Sequence, residues 1–180
     1  MLKITIPSRE LFDESTMEFI ETKEYTIQLE HSLVSISKWE AKWNIPFFSK
    51  DEKTIDQVID YARCMTITQN IDEKVFNGLT QENIEAINKY INAPMTATTF
   101  KTKSHSTSSE IITSELIYYW MIALNIPMEC QRWHINRLLT LVRICNIKND
   151  PDKRKMSRSE IMSRNSALNK ARRAQFHSKG

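Results

Sequence analysis

The sequence predicts a mainly α (α+β) fold, a helical domain with a small N-terminal two-stranded β unit and a basic C-terminal extension. Three observations predict it. Apolar residues are 41% of the 180, enough for one domain with its own core. Glycine occurs only at Gly78 and Gly180, too rarely for phosphate-cradling loops or primed hairpin turns. Strict apolar alternation is found near the N-terminus, whereas spacings of three to four residues recur from Ser32 onward.

Residues 2–6, LKITI, alternate, are β-branched and stop at Pro7-Ser8, so they read as a strand. EYTIQLE at 24–30 alternates again, with Tyr25, Ile27 and Leu29 on one face. The two are expected to pair antiparallel around a helical or looped insert from Arg9 to Glu21. A two-stranded ribbon is marginal alone and must pack on something.

Helical spacing then runs through Leu33, Ile36, Glu40 and Trp43, is widened by Val34 and Trp39, and stops at Pro46. Ser49 is the expected cap of an amphipathic helix of about four turns. Its first turn is acidic, and Ile55, Val58, Ile59 and Ala62 lie along one face. Thr80-Gln81-Glu82-Asn83 opens another helix, continued by Ile84, Ile87, Tyr90 and Ile91 and ended by Pro94. Residues 95–109, MTATTFKTKSHSTSS, are polar and aperiodic, which is a surface loop. Glu110 to Leu124 is apolar nearly all round, the pattern of a central buried helix. Asn125-Ile126-Pro127 breaks it, and a second helix from Met128 to Asn146 carries Ile135, Leu138, Leu139, Val142 and Cys145 on one side. The two helices read as an antiparallel hairpin.

The overall charge of +3 hides an asymmetry. Residues 151–180 hold nine lysines or arginines against two acids, a net of +7, and the rest holds sixteen against twenty, a net of −4. The expected division is a helical domain over 1–150 and a basic extension over 151–180, disordered or helical on binding. Ser157 and Glu160 have capping-box spacing, but the apolar face behind them is thin. Arg158, Arg164, Lys170, Arg172 and Arg173 are the candidate partner-binding residues. Such a density of cations binds nucleic acid through phosphate contacts and counterion release, binds an acidic protein face, or stays solvated. Charge alone does not choose among these.

Cys130 and His134 stand four apart and would share a helix face, and thiolate and imidazole are both zinc ligands. A structural site needs two more ligands, and Cys64, Cys130 and Cys145 have no CxxC spacing. As nucleophile and base, the pair lacks an orienting third group and an oxyanion loop. The expectation is no catalytic, metal-binding or cofactor-binding residue, with a buried thiol beside a hydrogen-bonded histidine. Trp120, Trp133, Tyr118 and Tyr119 are of the type that stacks on bases, but their helical spacing among Ile, Leu and Met fits core packing. The N-terminus lacks a secretory pattern, and no window of about 18 uninterrupted apolar residues follows. A soluble cytoplasmic protein with reduced thiols and no membrane partner is expected.

Five strings carry a resemblance: LEHSLVSISKWEAKWNIPFF at 29–48, DYARCMTITQNI at 60–71, NKYINAPMTATTF at 88–100, YYWMIALNIPMECQRWHINRLLTLVRICNIKN at 118–149 and MSRSEIMSRNSALNKARR at 156–173. Together they resemble tail assembly chaperones of long-tailed bacteriophages, over most of the chain from about residue 27. The resemblance implies a non-enzymatic protein of the host cytoplasm that binds the tape-measure protein while tail-tube subunits polymerise around it. The expected partners are the tape-measure protein and tail-tube subunits, with self-association as a further one; a structural place in the tail or head-tail junction and nucleic-acid regulation through the basic tail are the alternative functions. A client groove would draw on adaptable side chains, and Met65, Met95, Met121, Met128 and Met162 are available to line one.

Overall fold

The computed structural model describes residues 1–13, 17–100, 111–149 and 158–176. The chain is mainly helical and divides into two compact units, Met1–Ile144 and Cys145–Gly180.

Strand β1, Leu2–Ile6, pairs antiparallel with β4, Tyr25–Leu29, in the register Leu2 to Leu29 through Ile6 to Tyr25. Ile4, Ile6, Ile27 and Leu29 form its buried face. This expected ribbon gains a third partner, because residues 65–67 lie along β4. Glu30 N–H donates to Met65 O at 2.8 Å, and Ile67 N–H donates to Gln28 O at 2.8 Å. The insert between the strands differs from the expected helix or loop. It is a second antiparallel hairpin, β2 Arg9–Asp13 and β3 Glu18–Thr22, forming a separate two-stranded sheet. Its turn holds Met17 at φ 57°, a left-handed conformation uncommon outside glycine and asparagine. Without glycine at the turn, the hairpin signal was absent from the sequence.

Helix α1, Leu33–Trp43, is the hub, packed against α2 (Ile55–Met65), α4 (Ser114–Ala123) and the 3-10 turn Met128–Arg132. Ser32 and Ser35 close a reciprocal capping box at its start. Trp39 is fully buried and its indole N–H donates to Gln57 O at 2.9 Å, so the largest core side chain leaves no polar atom unmatched. Helix α2 begins later than expected. Thr54, with Gln57, is the cap, rather than Ser49, and the helix has three turns instead of four. Its buried face is shifted from the expected one: Ala62 is buried as expected and Val58 and Ile59 are half-buried, but Gln57, Tyr61 and Met65 point inward and Ile55 is 62% exposed. Tyr61 takes the core position because Phe47 and Trp39 offer it ring faces, with centroids at 4.3 and 6.4 Å.

A 3-10 turn at Glu73–Gly78 follows, and a Cβ at Gly78 would stand 3.2 Å from Ile6, so β1 fixes this glycine by close approach. Helix α3, Gln81–Ile91, opens at Thr80 as expected, with Ile87 and Tyr90 buried. Residues 95–100 of the expected loop hold no helix or strand, and 101–109 lie outside the described residues. Helix α5, Ile135–Asn149, starts seven residues later than the position expected from Met128. Residues 124–134 separate it from α4 and contain the 3-10 turn, so the expected tight hairpin is a longer connection. Helix α6, Arg158–Phe176, makes up most of the second unit, and Ser157, its expected cap, lies outside the described residues. Left-handed positions at Asn44, Asn70 and Asn125 do the work that glycine usually does.

Candidate partner-binding surfaces

The residues that first draw attention, Cys130 and His134, do not share a helix face. Cys130 sits in the 3-10 turn, while His134 pairs with Ser32 in an isolated β-bridge ahead of α5. Burial pushes the Cys130 thiol up, which suppresses the thiolate that either chemistry would need. Among the described residues no three His, Cys, Asp or Glu side chains are grouped for a metal ion.

His134 instead joins a buried polar seam. Its Nε2–H donates to Tyr90 O at 3.0 Å, and its Nδ1 accepts from Asn136 N–H at 3.3 Å, so the hydrogen bonds require the neutral ring. His31 packs edge-on against it, with centroids 5.1 Å apart, and is hydrogen-bonded through Nδ1 to the Tyr61 hydroxyl. Burial, then the neighbouring His134, lowers His31 to about 3, and burial lowers His134 as well. Burial raises the Tyr61 hydroxyl. The seam ties the β4–α1 junction to α5 through Ile135 N–H to His31 O at 2.7 Å, and to α3 through Asn136 Nδ2 to Ile91 O and Ala93 O. Every group in it is engaged in holding elements together.

Glu40, also buried, behaves similarly. One carboxylate oxygen accepts Phe47 N–H at 2.7 Å and the other accepts Ser114 N–H at 2.8 Å. The shallow depression of about 260 Å³ beside it, lined by Asn44, Pro46, Thr113 and Glu115 among others, therefore meets a carboxylate already bound on both oxygens.

The surface tells more. Helix α4 was expected to be buried all round, and it is not: Ile117 and Met121 are fully buried, while Tyr119 and Ile122 are 64% and 67% exposed. Ile111, just ahead of the helix, is 63% exposed. Tyr118 and Trp120 are half-buried, and Tyr118 donates to Gln131 Oε1 at 3.0 Å. Trp133 is half-buried under the Arg137 guanidinium, 4.1 Å from its ring centre. The methionines divide likewise. Met65 and Met121 fill the core, so they line no groove, whereas Met95, Met128 and Met162 are exposed.

In the second unit, Arg158, Arg164, Lys170, Arg172 and Arg173 all lie on α6 and all are exposed. At about 100° per residue they fall at roughly 0°, 240°, 120°, 320° and 60° around the axis, so the cations spread around about two thirds of the helix and leave an arc from roughly 120° to roughly 240° without one. Ile161, Met162 and Leu168 are exposed between them. Among the described residues no helix is long and apolar enough to cross a membrane. No protein-family model, curated protein or solved structure matches the chain.

Proposed function

We propose that the chain is a tail assembly chaperone of a long-tailed bacteriophage, a non-catalytic binding protein of the host cytoplasm whose client is the tape-measure protein during tail-tube assembly. The observation that supports this reading best is the outward face of α4. Tyr119 and Ile122 stand one helical turn apart, both mostly exposed, on a helix whose opposite face is locked in the core by Ile117 and Met121. A rigid helix that presents large apolar side chains to solvent is suited to hold a second amphipathic helix through spaced anchors. A tape-measure protein is a long helical client of this kind, and the resemblance of the five sequence strings points to the same role.

Co-expression tests it. The tape-measure protein should gain soluble yield and co-purify with this chain, and Tyr119→Lys with Ile122→Lys should abolish both while leaving the fold intact. No association at low or moderate salt refutes the proposal. The exposed cations around α6 favour a second reading, a nucleic-acid-binding regulator, for which log affinity must fall linearly with log salt. A salt-insensitive affinity removes that reading. Stoichiometric copies in purified virions would point instead to a structural tail component.

A further inference from the structure

Arg63, in the last turn of α2, is under-supplied with acceptors. Its Nη2–H donates to Glu73 O at 3.2 Å, but Nη1 stands 3.6 Å from Glu73 Oε2 and 3.9 Å from Asp60 Oδ1, beyond hydrogen-bond length. Asp60 is already engaged by Lys42 and by Trp43 Nε1–H at 2.9 Å. Arg63 Nε is the one buried side-chain nitrogen or oxygen among the described residues that has no hydrogen-bond partner. Burying a donor without an acceptor opposes folding, so this guanidinium gains from any acceptor brought to it.

A depression of about 230 Å³ lies against Arg63. Thr68 lines it too, and its hydroxyl accepts Gln28 N–H at 2.9 Å, which leaves the hydroxyl proton to donate. The exposed Asn70 adds an amide to the same wall. Half-buried Ile71 and buried Phe76 make the lining partly apolar, and the guanidinium lies over the Phe76 ring, 5.8 Å from its centroid. Donors set beside apolar side chains suit an anionic group carried on a small apolar body. The charge of that group follows from Glu73, which lines the depression with a side chain 83% exposed. Its carboxylate opposes a second anion, and it opposes a dianionic phosphate about twice as strongly as a monoanionic carboxylate.

We infer that the depression spanning the end of α2 and the Glu73–Gly78 turn is a binding site for a monocarboxylate attached to a small apolar group, held by the Arg63 guanidinium, the Thr68 hydroxyl and the Asn70 amide. A free acid and the C-terminal residue of a polypeptide share this chemistry. The site has no residue in common with the α4 face, so the inference does not rest on the chaperone reading.

Proton–nitrogen correlation NMR of the full chain, which reads the Arg63 Nε–H directly, tests it. N-acetyl-leucine should shift that signal and those of Thr68 and Asn70 saturably, at about millimolar concentration. N-acetyl-leucinamide, which lacks the carboxylate, should shift none of them, and inorganic phosphate should bind at least about threefold more weakly than N-acetyl-leucine. Isovalerate that binds as tightly as N-acetyl-leucine identifies a free acid as the ligand; isovalerate weaker by about tenfold or more identifies a polypeptide end. Arg63→Gln should weaken N-acetyl-leucine binding at least about tenfold. Glu73→Gln alters an exposed side chain and should tighten binding about two- to fivefold, an effect that no loss of folding produces, so it carries the test if Arg63→Gln does not fold. An amide that shifts the same signals, phosphate that binds as tightly as the carboxylate, a folded Arg63→Gln variant with wild-type affinity, a Glu73→Gln variant that binds no tighter, or the absence of any saturable shift overturns the inference.

Discussion

Acidification should unlock the buried seam at His31. In the folded protein the ring is held near 3, by burial first and by His134 second, whereas an unfolded chain presents a histidine with a pKa of about 6.5. Below that value the unfolded state binds a proton that the folded state refuses, so stability falls as pH drops from about 6.5 towards the folded value. At about pH 5 the loss from His31 alone is about 2 kcal/mol relative to pH 7, and His134, also lowered, adds in the same direction. The window from about pH 7 to about pH 5 lies above the range where ordinary carboxylates titrate, so the histidines dominate it. Urea titrations followed by near-ultraviolet dichroism of the buried Trp39 read the effect. His31→Phe keeps the aromatic packing and removes the proton, so its stability curve should be flatter over that window by about 2 kcal/mol. A wild-type curve that is flat between these pH values, or a variant as acid-sensitive as the wild type, refutes the reasoning.

Glu40→Ala strands the Phe47 and Ser114 N–H groups in the core and should cost about 2–6 kcal/mol in urea unfolding. Trp39→Ala leaves a cavity under α1 together with an unpaired Gln57 carbonyl, and about 3–5 kcal/mol of destabilisation is expected in the same assay. Burial first, then the nearby Asp60, pushes the Cys64 thiol up to about 11, so iodoacetamide at neutral pH should label it about a hundredfold more slowly in the native protein than in urea. Mass mapping of the alkylated peptide checks that rate.

What sequence periodicity could read was local. Thr80 as a cap, the β1–β4 pair and the stop of α1 before Pro46 each depend on a few neighbouring residues, and each is present. The shifted face of α2 was not legible. Ile55, Val58 and Ile59 outrank Gln57 and Tyr61 in hydrophobicity, and only the aromatic neighbours Trp39 and Phe47 make a tyrosine the better core residue there. Cys130 and His134 misled for a related reason: a spacing of four signals a shared face only in a continuous helix, and a 3-10 turn followed by a β-bridge breaks that rule. The basic residues of α6 were legible as charge, but not their distribution around the helix, which follows only once its span is known.

The two surfaces that matter most lie where sequence reading inverted the outcome. An all-round apolar helix normally predicts burial, yet among the described residues α4 packs on α1 through Ile117 and Met121 while Tyr119 and Ile122 on its opposite side are mostly exposed. An acidic, glycine-free insert normally predicts a loop, yet Arg9–Asp13 and Glu18–Thr22 pair in a register that sets acids against acids. In both cases local preference and the observed structure disagree, and a folded chain keeps such disagreements where something other than its own stability selects the residues. An apolar client would cover the first, so Tyr119→Lys with Ile122→Lys should remove client binding without loss of stability in urea unfolding, and a destabilised double variant would refute a purely surface role for that face.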